Sequence, residues 1–193
     1  MVTWDELNGV LAGCRRCPLC EGRSNVVTGR GRKDADVMFI GEAPGYYEDL
    51  EGLPFVGKAG QLLDKMLAAV NFLRDEVYIA NIVKCRPPNN RDPEPSEQDS
   101  CIPYLKCQIL LVKPKIICCL GRISAKKIIG DDFKITEDRG VWHEKNGYSV
   151  IATYHPSALL RDETKKRPAW EDFKMIRKKY DELTRVREMR DGT

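Results

Sequence analysis

The feature that most constrains the fold is a regular alternation of short apolar runs with amphipathic segments. Four runs rich in β-branched and aromatic residues each end near Gly, Pro or Asn, which is typical of strands: residues 36–40, 77–83, 115–120 and 148–154. Helical spacing of apolar residues follows in the other segments, at 59–70, 96–112, 121–130 and from Trp170 onward. Strands alternating with helices predict a three-layer α/β/α fold with a mostly parallel, four-stranded sheet.

The length and charge of the chain set loose limits on its organisation. Its 193 residues fit one domain, so we expect residues 1–193 to form a single unit. Lys and Arg number 32 against 29 Asp and Glu, and this net charge of +3 permits a nucleic-acid partner without requiring one. Neither a long uncharged apolar window nor an apolar N-terminal segment occurs, so we expect no membrane span and no signal peptide.

Eight cysteines are present, and a chain without an export signal is expected where thiols stay reduced. They are therefore expected to be ligands or buried residues and not disulfides. Cys14 and Cys17 form a CxxC pair, and Cys20 follows closely. Spacing alone leaves open a zinc clip, an iron–sulfur site and a redox pair, because all of them use paired thiolates.

Polar side chains with distinct chemistry follow three of the predicted strands. GEAPG (41–45) follows the first strand, Asn81 belongs to the second, and HPSALLR (155–161) follows the fourth. Working residues of parallel sheets lie at the carboxyl ends of the strands. We therefore expect the carboxylate of Glu42, the amide of Asn81 and the imidazole of His155 to converge at one edge of the sheet.

These motifs carry a family resemblance. GEAPG, EDLEGLPFVGKAGQLLD (48–64), NIVKCRPPNNRDP (81–93) and HPSALLR occur in the order found in the family 4 uracil-DNA glycosylases, the iron–sulfur branch of that superfamily. With the CxxC pair they run from Cys14 to Arg161, about four-fifths of the chain. The resemblance implies a uracil-DNA glycosylase-like fold and an enzyme that excises uracil from DNA by hydrolysing the N-glycosidic bond, which is the first step of base-excision repair.

The resemblance also implies a cofactor. Four cysteines of the family hold a [4Fe-4S] cluster, and they match Cys14, Cys17, Cys85 and Cys101. Cys20 is the rival ligand, because it lies close to Cys17. The remaining cysteines are expected to be small buried residues: Cys107 in a helix, and Cys118 and Cys119 in a strand.

Base flipping and bond cleavage require a platform for the base, a donor to the leaving oxygen and a group that acts on water. Phe55 fits the platform, Asn81 can pair with uracil O4 and N3–H, and His155 can donate to O2. By resemblance, Glu42 orients water and stabilises the cationic sugar. Each residue also has an ordinary structural interpretation: a core aromatic, a strand-end cap, a turn histidine and a solvated acid.

Four further residues are matched to the uracil site. Gly41 and Ala43 are small neighbours whose backbone amides can lie against the base. By resemblance, Glu48 crowds the C5 edge of uracil and excludes thymine, and Asn90 belongs to a hydrogen-bond network beside the site.

The chain departs from the family pattern near two of these motifs. Asn89 stands where Gly is usual, so the local backbone is expected to differ. Tyr46 and Tyr47 stand where relatives often carry acidic residues, and the sequence alone assigns them no role.

The partner implied by the resemblance is uracil-containing DNA, single- or double-stranded, bound by a monomer in a prokaryotic cytoplasm. Leu159 is expected to be the wedge that fills the gap left by the flipped base. Ser157 and Arg161 suit phosphate contacts. Since none of the matched motifs supplies a lysine nucleophile, the enzyme is expected to be monofunctional.

Two other functions are compatible with parts of the sequence. A related branch of the superfamily captures uracil-DNA covalently through a histidine in an inserted loop, but residues 87–98 contain no histidine. A small iron–sulfur electron carrier explains the cysteines but leaves Phe55, Asn81 and His155 without a purpose.

Overall fold

The computed structural model describes the backbone of residues 2–191 and the side chains of residues 2–185. Its sheet has the strand order β1-β3-β2-β4-β6-β5. The strands are β1 (Arg30–Gly31), β2 (Val37–Gly41), β3 (Tyr78–Asn81), β4 (Ile116–Leu120), β5 (His143–Lys145) and β6 (Tyr148–Thr153).

The four predicted strands correspond to β2, β3, β4 and β6, and they pair with one another in parallel. The predicted count of four was too low, because β1 and β5 add antiparallel edges. These edge strands have two and three residues and lie partly exposed. Runs this short carry no hydrophobic periodicity, so only pairing with a neighbour reveals them.

The described residues form eight α-helices, none of which is long and apolar enough to cross a membrane. They are α1 (Trp4–Ala12), α2 (Tyr46–Glu51), α3 (Lys58–Ala69), α4 (Pro95–Val112), α5 (Arg122–Ile128), α6 (Ile135–Asp138), α7 (Pro156–Arg161) and α8 (Lys166–Asp191). Thr3 and Glu6 form a capping box that fixes the start of α1.

Two hydrophobic cores cover the two faces of the sheet. In β2, Met38 and Ile40 pack into the core formed with α1, α4 and α5, whereas Val37 and Phe39 pack into the core formed with α3 and α8. Alternate side chains of a strand point to opposite faces, so a strand between two helical layers is apolar throughout. The predicted α/β/α class is therefore confirmed.

The parallel pairing continues past the end of β3. The amides of Ile82 and Val83 donate to the carbonyls of Gly41 and Glu42, at 3.0 and 3.2 Å. These bonds keep the start of this segment beside the residues after β2, and the chain then bends at Lys84 and Cys85. The segment after β3 thus connects the carboxyl edge of the sheet with the region around α1 and α4.

Candidate active site and cysteine cavity

A cleft of about 460 Å³ opens at the carboxyl edge of the parallel strands. Its walls come from the segments after β2, β3, β4 and β6, together with α7 and the loop before α4. It brings together most of the predicted site residues, namely Glu42, Ala43, Glu48, Phe55, Asn81, Asn90, His155, Ser157 and Arg161. The convergence expected from the strand ends is present.

Gly41, Asn81 and Phe55 form the tightest contact of the cleft. Gly41 lies opposite Asn81 in the register of β2 and β3. A Cβ atom at position 41 would lie 2.3 Å from Asn81 Oδ1 and 2.7 Å from Phe55 Cζ. Glycine is therefore required for these two side chains to meet over the strand end.

Asn81 is 2 % exposed, and its Oδ1 atom has no hydrogen-bond partner among the described residues. A buried polar atom is normally paired, because losing its water without compensation is unfavourable by about 1–3 kcal/mol. An orphaned acceptor at the wall of a cleft is thus a candidate for pairing with a ligand donor.

Phe55 is held in a left-handed backbone conformation, with φ of 56°. This is strained for an aromatic residue, by on the order of 1–3 kcal/mol. Its carbonyl approaches α3 so closely that a Cβ at Gly60 would lie 1.8 Å from it. The ring centroid lies 5.5 Å from that of His155, with 34° between the planes. This backbone conformation places the Phe55 ring beside the imidazole of His155.

His155 begins α7, and its Nδ1 accepts a hydrogen bond from the Ser157 amide at 3.2 Å. The Ser157 hydroxyl lies 2.8 Å from the same nitrogen. Burial, assisted by the charge of Arg161, lowers the pKa of His155 to about 4. The imidazole is therefore neutral near pH 7, and with Nδ1 accepting, its proton belongs on Nε2.

The surroundings of Glu42 disfavour the charged form of its carboxyl group. Burial raises its pKa to about 7, and the nearby carboxylate of Asp92 contributes in the same direction. Arg122 and Arg161 oppose the rise, and Arg122 binds Asp92 at 2.6 Å. A carboxyl group with such a pKa exchanges protons near neutral pH, as a general base requires.

Glu48 and Asn90 are each fixed by a hydrogen bond at the rim. Glu48 Oε1 accepts from the amide of Gly57 at 3.0 Å, and Asn90 Oδ1 accepts from Arg86 Nε at 2.7 Å. Asn89 has φ of 55°, the left-handed conformation that favours glycine. Asparagine tolerates it better than most residues, so the chain keeps this turn without glycine.

The predicted DNA contacts differ in their placement. Arg161 lines the cleft, where its charge acts on Glu42 and His155. Ser157 directs its hydroxyl towards His155.

Leu159, the predicted wedge, points into the protein in this conformation. Leu159 is only 1 % exposed, because α7 packs against α3 and turns this side chain inward. Leu160, the next residue, is 49 % exposed.

A second, smaller cavity lies between α1, α4 and the segment after β3. It is lined by all four predicted ligands, Cys14, Cys17, Cys85 and Cys101, and also by Cys20. Cys118 and Cys119 are fully buried in β4, as predicted. The fold therefore gathers cysteines that are distant in the sequence, and Cys20 remains beside them.

The surroundings of these thiols suit bound thiolates. Arg23 donates to Cys85 Sγ and Tyr104 donates to Cys14 Sγ, both at 3.2 Å. Burial raises the pKa of Cys85 to about 11 and raises that of Cys101 as well. Without metal these thiols hold their protons, so ligation requires a cation that displaces them.

Among the described side chains, no group of three or more Cys, His, Asp or Glu is spaced to hold a single metal ion. One zinc ion needs every sulfur at about 2.3 Å from it. An iron–sulfur cluster interposes its own inorganic core and so tolerates a wider set of thiolates. Four of the cysteines that line the cavity supply the four thiolates that such a cluster requires.

Two residues of the cleft were missed by the sequence analysis. Asp92 lies in a loop whose path no local pattern reveals. Arg122 could have been found, because it comes two residues after β4 and so at the same edge as the other strand ends.

The model of the uracil DNA glycosylase superfamily matches residues 28–174. The chain belongs to the uracil-DNA glycosylase superfamily. It is 46 % identical to the Type-4 uracil-DNA glycosylase of Sulfurisphaera tokodaii, over 92 % of this chain and 84 % of the relative. It is 41 % identical to that of Archaeoglobus fulgidus, over 91 % and 92 %, and 44 % identical to that of Thermotoga maritima, over 84 % and 88 %.

Membership of the superfamily confirms the family resemblance read from the motifs. For this uracil-DNA glycosylase superfamily member, the roles of individual residues in the cleft and the cysteine cavity remain predictions.

Proposed function

We propose that the protein is a monofunctional uracil-DNA glycosylase that hydrolyses the N-glycosidic bond of deoxyuridine in DNA and so initiates base-excision repair. The observation that carries the proposal is the orphaned Oδ1 acceptor of Asn81, buried beside Phe55 in a cleft that also holds Glu42 and His155. The names of the similar proteins support the same activity.

Base recognition is assigned to Asn81 and Phe55. Uracil offers an N3–H donor to Oδ1, and its O4 accepts from the Asn81 amide nitrogen. Cytosine presents the opposite pattern at both atoms, so it leaves the buried amide unpaired. Phe55 stacks on the flipped base, a contact that contributes about 1–3 kcal/mol.

His155 acts on the leaving group. Its neutral imidazole donates from Nε2 to uracil O2, where negative charge grows as the bond breaks. Since the pKa of His155 is lowered to about 4, the imidazole donates a hydrogen bond without first becoming cationic. The donor therefore functions throughout the neutral range.

Glu42 acts on water and on the sugar. As a carboxylate it orients and deprotonates the attacking water, and its charge stabilises the oxocarbenium-like sugar. Its raised pKa of about 7 makes the carboxylate a stronger base than an ordinary one, while a substantial fraction stays deprotonated near physiological pH.

The remaining contacts shape the pocket and hold the strand. Glu48 crowds the C5 position and excludes thymine, Asn90 supports the rim, and the backbone at Gly41 and Ala43 lies against the base. Arg161, with Ser157 beside it, faces phosphate. Residues 1–193 act as one domain and as a monomer on single- or double-stranded DNA, in the cytoplasm.

We assign Cys14, Cys17, Cys85 and Cys101 as ligands of a [4Fe-4S] cluster. When bound, the cluster supplies cross-links between the N-terminal segment, α4 and the segment after β3, and its binding energy is part of the folding energy. The catalytic residues belong to the separate cleft.

The test is incubation of the purified protein with an oligonucleotide containing one deoxyuridine, followed by alkali. Strand cleavage at the uracil position and free uracil are expected. A covalent protein–DNA complex that survives denaturation would instead indicate the capture function. Intact DNA under all conditions would overturn the proposal.

A further inference from the structure

The short helix α2 carries an exposed apolar surface next to the cleft. Tyr46 is 49 % exposed, Tyr47 59 % and Leu50 50 %, and the three side chains lie on one side of this six-residue helix. We call these three residues the aromatic patch. A cluster of solvent-exposed apolar side chains indicates a contact surface more often than a single exposed apolar side chain does.

Contacts with neighbouring groups, and not burial in the core, hold the two rings of the aromatic patch in place. Their centroids lie 5.4 Å apart with an edge-to-face angle of 79°. A Cβ atom at Gly57 would lie 3.7 Å from Tyr47 Cδ2, so this ring rests on the residue that precedes α3. The fold therefore presents two pre-arranged aromatic side chains to solvent, and the core does not require them.

The aromatic patch is continuous with the wall of the cleft. The guanidinium of Arg86 lies 5.0 Å from the Tyr46 ring centroid, and Arg86 Nε donates to Asn90, which lines the cleft. On the other side, Glu48 of the same helix lines the cleft and holds Gly57. A ligand that is bound in the cleft and extends beyond this wall therefore comes close to Tyr46, Tyr47 and Arg86.

The chemistry of this surface fits an unpaired nucleotide better than a folded partner. Exposed rings give bases a face on which to stack irrespective of sequence, and a neighbouring guanidinium suits a phosphate. A flipped uridine leaves its neighbour without a stacking partner on one side. A protein partner that binds through apolar contacts would have no use for the charge of Arg86 at the edge of the aromatic patch.

We propose that the aromatic patch stacks a base adjacent to the flipped uridine, with Arg86 at its phosphate, and thereby favours single-stranded DNA. This inference rests on the proposed uracil-DNA glycosylase activity. In a duplex the adjacent base stays paired and stacked, so it reaches the patch only after further strand opening. Single-stranded DNA needs no such opening, so its adjacent base reaches the aromatic patch without this cost in free energy.

The experiment compares Tyr47→Leu, which removes the ring, with Tyr47→Phe, which keeps it, and repeats the pair at Tyr46. Leu73→Ala is the control, because Leu73 is exposed and precedes β3, at the opposite edge of the sheet. Affinity is measured by anisotropy with oligonucleotides whose target is 2′-fluoro-deoxyuridine, which resists cleavage. A second set carries an abasic analogue on the 5′ or the 3′ side of the target.

We expect each Leu variant to bind the single strand about 5- to 150-fold more weakly, the fold-change equivalent to one lost stacking contact. The Phe variants and Leu73→Ala should stay within about twofold of the parent, since they keep both rings. On one of the two abasic oligonucleotides, parent and Leu variants should bind alike. The duplex should show a smaller loss.

Equal affinities for Leu and Phe variants would overturn the inference, as would a Leu effect that persists on both abasic oligonucleotides. The latter pattern would point to a protein-facing surface or a general folding defect. Uracil release by the parent is measured in parallel. If the parent releases no uracil, the proposed function fails and this inference fails with it, whereas release with unchanged variant affinities overturns only the patch.

Discussion

The cleft and the cysteine cavity both adjoin the segment of residues 81–85, but their polar groups are arranged in opposite ways. In the cleft, several groups are left in energetically unfavourable states: the Asn81 oxygen is unpaired, the Phe55 backbone is strained, and the pKa of Glu42 is raised to about 7. In the cavity, Arg23 and Tyr104 already serve two of the sulfurs. The cleft is therefore arranged for a ligand that supplies the missing contacts, whereas two sulfurs of the cavity already have partners.

Lys84 lies between the two regions. It is fully buried, and its Nζ donates to the carbonyl of Asn81 at 2.6 Å. It also lines the cysteine cavity, next to Cys85 in the chain. The segment from Asn81 to Cys85 therefore links the position of the Asn81 amide to the cysteine site.

The largest effect that separates the regions is expected from Cys85→Ala. Loss of a ligand should give colourless, poorly folded protein, because metal binding and folding are coupled. Iron content, visible absorbance and circular dichroism measure this. Cys20→Ala is the matched control and should keep colour and fold. Full iron in Cys85→Ala together with its loss in Cys20→Ala would show that the ligand set is wrong.

Asn81→Asp should damage recognition and leave the cysteine site intact. A buried carboxyl group is protonated and can pair with the cytosine edge, so selectivity should fall and some cytosine should be released. Uracil excision should slow by about tenfold or more, as expected for a mismatched buried polar group. Cleavage of matched uracil and cytosine oligonucleotides measures both effects. Parental activity would remove Asn81 from base recognition.

Lys84→Met tests the link between the regions. It removes the hydrogen bond to Asn81, and such a bond to a charged donor contributes about 1.5–3 kcal/mol. We expect lower stability to denaturant and a higher KM for uracil-DNA, with iron content per chain unchanged. Iron loss without any change in KM would show that Lys84 serves the cysteine site alone.

The smallest effect is expected from Asp92→Asn, which acts on the proton of Glu42. The rate should rise with pH to a midpoint near 7, because Glu42 works deprotonated and its pKa is raised to about 7. Burial is the larger cause and remains, but removing the Asp92 charge lowers the pKa. The acidic limb should therefore move to lower pH in single-turnover profiles. An unmoved limb, or one moved upward, would dissociate Asp92 from Glu42.

The sequence predicted the parts of the molecule that repeat a local pattern. The four central strands have continuous apolar runs, and the motif residues at their ends follow from the parallel arrangement. The short edge strands β1 and β5 depend on pairing, and the approach of Asp92 to Glu42 depends on a loop path. The inward position of Leu159 could not be predicted either, because the packing of α7 on α3, and not the motif, decides which leucine faces outward.

We propose that Glu42 and His155 act on bond cleavage and not on DNA binding. Single-turnover cleavage with saturating enzyme, beside DNA affinity, tests it for Glu42→Gln, His155→Ala and the double variant. Each single change should slow cleavage by about 10²–10³-fold, with affinity nearly unchanged because phosphate contacts dominate it. The double variant should lose less than the product of the two. Cleavage near the parental rate at saturation, with weaker binding, would contradict the account.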